Sequence, residues 1–177
     1  TIAFFSPEGR PLLRLTGFQG PGQFPATLEM ARALGTRVIG WEAALQKHPD
    51  DAAALTALGL HLYEQEAYQD SSSLLVRAAR HDASLPAAER KRTRMLLAVM
   101  LNHDRRHAES EALIKEALEL RPATELDAKL LYILAKTYTA TQRVEEARAT
   151  LRRVLDTYPR SPVADKARET LVALEQR

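Results

Sequence analysis

The stretch from Ala128 to Pro159, AKLLYILAKTYTATQRVEEARATLRRVLDTYP, constrains the fold of this chain more than any other. Leu131, Leu134, Ala135 and Tyr138 follow one another at intervals of three, one and three residues, which sets them on one stripe of a helix. A break rich in Thr and Gln comes next. A second stripe, Ala147, Leu151, Val154 and Leu155, then runs up to Pro159. Two amphipathic helices of about a dozen residues with a short turn between them form a helical hairpin. Alone, such a hairpin leaves its apolar stripe exposed to water, so the pattern predicts a stack of similar units.

Other members of the stack are present. Pro122 closes ESEALIKEALELRP and Pro49 closes WEAALQKHP. Between them a unit ends near Ala83, with Leu55, Leu58, Gly59 and Leu62 on its first helix and Tyr68, Ser71, Leu75 and Ala78 on its second. The closing points are 34, 39 and 37 residues apart, and the longer intervals fit loop insertions near 84–88 and 124–126. A period near 34 residues, with small side chains where helices cross, resembles the tetratricopeptide repeat (TPR) over residues 36–177. The expected architecture is mainly α: a TPR-like α-solenoid of antiparallel hairpins. It comprises a half repeat at 36–49, repeats at about 52–83, 91–122 and 128–159, and a capping helix at 162–176. Gly59, Ala135 and Ala147 are expected at close helix contacts, and Ala164, Ala167, Leu171 and Leu174 should face the third hairpin.

The first residues follow a different period. Ile2, Phe4 and Phe5 make an apolar strand, SPEG is a turn, and Leu12, Leu13 and Leu15 make a return strand. FPATLEMARAL then predicts a helix over 25–34. Gly35 is placed to end it and Thr36 to cap the next helix, which carries Val38, Ile39, Trp41, Ala44 and Leu45. Thr1, Ile2 to Phe5, Ser6 to Gly9 and Arg14 to Phe18 resemble the C-terminal third of a thioredoxin-like domain of the thiol-disulfide interchange type. That resemblance covers about 1–34 and implies a longer parent, with a cis-proline just before Thr1 and a Cys-x-x-Cys further upstream. It further implies that helix 25–34 replaces the missing first half of the 36–49 repeat. One edge of strand 2–5 would lack its usual neighbour, so self-association through residues 1–15, or pairing there with the protein's own upstream sequence, is expected.

Composition narrows the chemistry. With 177 residues, 45% of them hydrophobic and 27% charged, the chain suits one globular body or two small ones. A net charge of +2 argues for neither nucleic acid nor an anionic membrane as partner. The charge is unevenly spread: residues 50–88 carry two basic and six acidic side chains, and 128–177 carry ten and six. No apolar run approaches the ~20 residues of a membrane span. There is no Cys, which removes thiolate chemistry and Cys-based metal sites from this chain.

Candidate chemical groups are few. His103 and His107 have the spacing of a helical metal-binding pair, but they straddle a turn beside Arg105 and Arg106, and no metal or other cofactor is expected. His48, His61 and His81 read as surface or groove residues. Arg90, Lys91, Arg92 and Arg94 read as a solvated face at a helix start. Ser71, Ser72 and Ser73 lack a His or acid partner in the sequence, and no constellation of residues suggests catalysis. The TPR resemblance implies a peptide-binding groove lined by the first helix of each hairpin. Its lining positions, carried over by spacing, are Thr56, Leu60 and Tyr63, then Arg92, Met95, Val99 and Asn102, then Lys129, Tyr132 and Lys136. Aromatic, Met and basic residues together suit a protein or peptide partner with apolar and acidic side chains. Thr56 and Leu60 depart from the Lys/Asn pattern of repeats that hold chaperone tails. The preferred reading is a non-catalytic TPR interaction or assembly module. The alternative is the tail of a thiol-disulfide oxidoreductase whose redox motif lies upstream.

Overall fold

Three helix-to-helix turns repeat one backbone solution. Glu66, Arg105 and Gln142 each adopt a positive φ of 60–63°. The next N–H bonds back to a carbonyl five residues earlier, Ala67 to Leu62, Arg106 to Leu101 and Arg143 to Tyr138, at 2.8–2.9 Å. This left-handed closure satisfies the last carbonyls of the first helix and reverses the chain within a few residues. The structure, a computed structural model, describes residues 1–17, 20 and 22–176. They form two compact units, Thr1–Leu85 and Pro86–Arg177.

The first unit holds a hairpin of β1 (Ile2–Phe5) and β2 (Pro11–Leu15), then α1 (Phe24–Lys47), α2 (Ala52–Glu64), α3 (Tyr68–His81) and a 3-10 turn, Asp82–Ser84. β1 and β2 are antiparallel, Ile2 facing Leu15 and Phe4 facing Leu13. Among the described residues no second strand flanks β1, and Phe5 is exposed. Asp51 caps α2 by accepting from the N–H groups of Ala53 and Ala54. Leu12, Val38, Leu58 and Leu62 form the unit's core, with Phe4, Trp41 and Leu74 packed on it.

The second unit holds α4 (Ala87–His103), α5 (His107–Glu119), α6 (Leu126–Ala140), α7 (Val144–Thr157) and α8 (Ala164–Glu175). α4 packs on α5, α6 on α7, and α6 also meets both α4 and α5. One core runs through them, from Ala98 and Ile114 through Leu130, Leu131, Ala135 and Leu151 to Ala167 and Leu174 of α8.

The helix crossings depend on small residues. A Cβ built on Gly59 would stand 2.7 Å from Leu75 Cδ2 and 2.8 Å from its Cγ, so only glycine fits without moving Leu75. The Ser71 hydroxyl donates to the Gly59 carbonyl at 2.7 Å, and Ser110 donates to Ala98 in the same way at 2.9 Å. Ala135 and Ala147, both fully buried, hold the corresponding places in α6 and α7.

Several expectations are corrected. α1 does not stop at Leu34. It runs unbroken to Lys47, because Gly35 is buried beneath the hairpin, where an added Cβ would lie 3.3 Å from Leu12 Cδ1. Thr36 is no cap; inside the helix its hydroxyl donates to the Arg32 carbonyl at 3.1 Å. Helix 25–34 therefore cannot stand beside 36–49 as the missing half of that repeat, being one helix with it; Leu12 of the hairpin packs with Val38 there instead. Tyr68, read as part of a buried stripe, is exposed, its ring edge-on to Tyr63 at 5.5 Å. His61 is buried rather than superficial, and its Nε2 donates to the Pro11 carbonyl at 2.9 Å. Phe18, which the thioredoxin-like pattern used, and Pro21 lie outside the described residues.

Candidate functional site

Lys91 departs most from the sequence reading. It sits on the inner side of α4 with no solvent exposure, although its neighbours in the basic run suggested a wet face. Its ammonium donates to Asp127 Oδ1 at 2.5 Å and to the Pro122 carbonyl at 3.2 Å, while the Thr124 hydroxyl reaches the same carboxylate oxygen at 3.3 Å. A buried charge is tolerable only when paired and hydrogen-bonded in this way. Tyr158 stands against the same carboxylate; burial, then the Asp127 charge, push its hydroxyl above the usual tyrosine range. Lys91 is therefore a packing element. Arg94 is also nearly buried, and Arg92 is the exposed member nearest the expected groove.

Groove positions in the first unit are few. Thr56 is buried, so the open surface falls to Leu60 and Tyr63, both half-buried. In the second unit, Met95 and Tyr132 lean on the core, and the Tyr132 hydroxyl lies 3.5 Å from that of Thr170. Lys129 and Lys136 are exposed.

α4 and α6 bring three of the expected positions together. Val99, Asn102 and Lys136 line one pocket of about 320 Å³, joined by His103, His107, Ile133 and Ala140. Val99, Ile133 and Ala140 supply apolar surface. Asn102 fixes the polar side: its Nδ2 donates to Thr137 Oγ1 at 2.8 Å, and its Oδ1 accepts from His107 Nδ1 at 3.0 Å. The Thr137 hydroxyl is anchored in turn on the Ile133 carbonyl at 3.0 Å. Lys136 and exposed His103 stand at the mouth, with Asp104 Oδ1 3.4 Å from His103 Nδ1, and the lining residues themselves include no carboxylate. Sequence reasoning missed Ile133 and Ala140, which lie one turn either side of Lys136 on α6. The His pair it singled out belongs here, but among the described residues no group of three His, Cys, Asp or Glu side chains could hold a metal ion. Nor is any described helix long and apolar enough to cross a membrane.

The architecture is that of a helical repeat protein, and comparison with known proteins gives the repeat its family. A tetratricopeptide repeat family model matches residues 101–174, and a second tetratricopeptide repeat model matches 41–86. The chain carries tetratricopeptide repeats. Among solved structures it is similar to one described as the crystal structure of MamA, at 13% identity and a TM-score of 0.60, covering 90% of this chain and 95% of that one. It is also similar to pilF of Pseudomonas aeruginosa, at 18% identity and a TM-score of 0.54, covering 85% of this chain and 67% of that one. At these identities the likeness is one of fold. No curated protein matches the chain. The family matches begin at residue 41, and neither they nor the two structures support a thioredoxin-like segment or a redox role.

Proposed function

We propose that this chain is a non-catalytic protein-interaction or assembly module that receives a partner peptide between α4 and α6. The carrying observation is the pocket in which Val99, Ile133 and Ala140 meet Lys136 and His103 with no carboxylate in the lining. An apolar floor beside an exposed lysine suits a peptide that alternates apolar and acidic side chains. Exposed Lys129 and half-buried Tyr132 extend the same face along α6, and Arg92 and Met95 extend it along α4. Leu60 and Tyr63 form a separate candidate contact surface on the first unit. In this reading the repeats span about 52–83, 91–122 and 128–159.

Peptides selected from a random library on the immobilised chain test this. Selected sequences should be rich in acidic and apolar residues, and added salt should weaken them. Lys129→Glu combined with Lys136→Glu should cost about tenfold or more in affinity, and Tyr132→Ala a smaller loss through the missing ring. Binders indifferent to salt and to all three substitutions would remove the site from this face.

A further inference from the structure

A second pocket in the same unit shares no lining residue with the first. Its volume is about 420 Å³, and it opens between α5, α6 and α7. Half-buried Leu118 and the outer edges of Leu134 and Tyr138 make its floor, over the buried Leu131. Lys115, Arg121 and Arg153 stand around it, with Glu119 as the one carboxylate in the lining.

These three cations are not equivalent. Lys115 is engaged: its ammonium donates to Glu111 at 2.7 Å. Glu111 also accepts from Arg143 at 2.6 Å and from the Tyr138 hydroxyl at 3.3 Å, and the Arg143 guanidinium lies over the Tyr138 ring. Burial works against charge on Glu111, but the hydrogen bonds from Lys115 and Arg143 outweigh it and hold the carboxyl below its usual range. That corner is electrically closed. Arg121 and Arg153 differ, since among the described residues neither pairs with a carboxylate. Arg121 reaches only the Leu118 carbonyl, at 3.4 Å. Both side chains are exposed, and both lie close enough to Tyr158 to favour its ionised form.

We propose that this pocket docks a protein segment bearing one leucine or aromatic side chain between carboxylates. The apolar floor takes the side chain. The two open guanidinium groups take carboxylates, whose planar shape they match with paired N–H donors. A bare anion would leave the floor unused, and an uncharged apolar segment would leave the arginines unanswered. The site is separate from the α4–α6 groove, so a partner can occupy one without the other.

Fluorescence anisotropy on the whole chain tests the proposal, with a labelled probe peptide holding one Leu flanked on each side by two Glu. Three comparison peptides replace Leu by Ser, Leu by Phe, or every Glu by Gln. Binding should survive Leu→Phe and fall about tenfold or more with Leu→Ser, with Glu→Gln, and on the protein with Arg121→Glu plus Arg153→Glu. Arg121→Gln plus Arg153→Gln, which reverses no charge, should give a smaller loss in the same direction. Circular dichroism confirms that these exposed substitutions leave the fold intact. On a chain already carrying Lys129→Glu plus Lys136→Glu, which removes the α4–α6 groove's share of an acidic probe, the probe should still bind and should still lose about tenfold or more with Arg121→Glu plus Arg153→Glu. Undetectable binding, binding indifferent to both arginine pairs, or binding wholly lost in the Lys129→Glu plus Lys136→Glu chain would each overturn the proposal. Such a result would leave the α4–α6 reading to its own test.

Discussion

The two units bury their apolar side chains with unequal success. Of the nine large apolar side chains exposed among the described residues, eight belong to the first unit, from Ile2 to Val76, and only Val172 to the second. The second unit instead runs one core from α4 to α8, with Leu130, Leu131, Ala135 and Leu151 almost or wholly without solvent contact. The difference follows from repetition. A hairpin placed beside another of the same kind meets a face whose small and large residues complement its own. In the first unit a two-stranded hairpin and one long helix meet a single repeat, and the core they share is small: Leu12, Val38, Leu58 and Leu62, with Phe4, Trp41, Leu45, Ala67 and Leu74 packed on it. A two-stranded hairpin has little stability of its own. It is therefore expected to be the part of the molecule that opens most readily.

Charge shows the same contrast. Arg14 and Glu66, which link the first unit's hairpin to its repeat, are well exposed and 3.4 Å apart, a pairing worth at most about 1 kcal/mol. Lys91 and Asp127 of the second unit are enclosed. Asp127→Ala leaves a buried ammonium without its counter-charge and should cost about 3–5 kcal/mol, the largest single effect expected here. Urea unfolding followed by far-ultraviolet circular dichroism measures it. Replacing both partners, Lys91→Met with Asp127→Leu, should recover most of the loss. A single variant as stable as the parent would mean that water reaches Lys91.

Leu12→Ala tests the other side of the comparison. It removes the hairpin's main anchor on Gly35 and Val38 and should cost about 2–3 kcal/mol, at the low end for a buried leucine, because the hairpin can settle inward. Trp41, the single tryptophan, packs on that core and reports the change by fluorescence. A cost equal to that of Asp127→Ala would erase the asymmetry between the units.

Much of the repeat fold was legible because its determinants are local. Stripes at helical spacing, Gly59, Ala135 and Ala147 at the crossings, and the strands at 2–5 and 12–15 all show in residue order. What escaped depended on a partner distant in sequence. Gly35 resembles a helix end until Leu12 is seen above it, and Thr36 resembles a cap until its hydroxyl is seen turned back to Arg32. Lys91 belongs to a basic run, and its acid lies 36 residues away. Spacing told which face a side chain occupies, not what stands opposite. The same limit explains the candidate site: Val99, Asn102 and Lys136 were named from the repeat pattern, whereas Ile133 and Ala140 join them only once α6 is laid beside α4.

Native-state hydrogen exchange on the whole chain tests the contrast most directly, because it reads the opening of each segment separately. Amides of α6 around Leu130, Leu131, Leu134 and Ala135 should exchange slowest. Those of the β1–β2 ladder and the first turns of α1 should exchange far sooner. Ladder amides as slow as those of α6 would contradict that order.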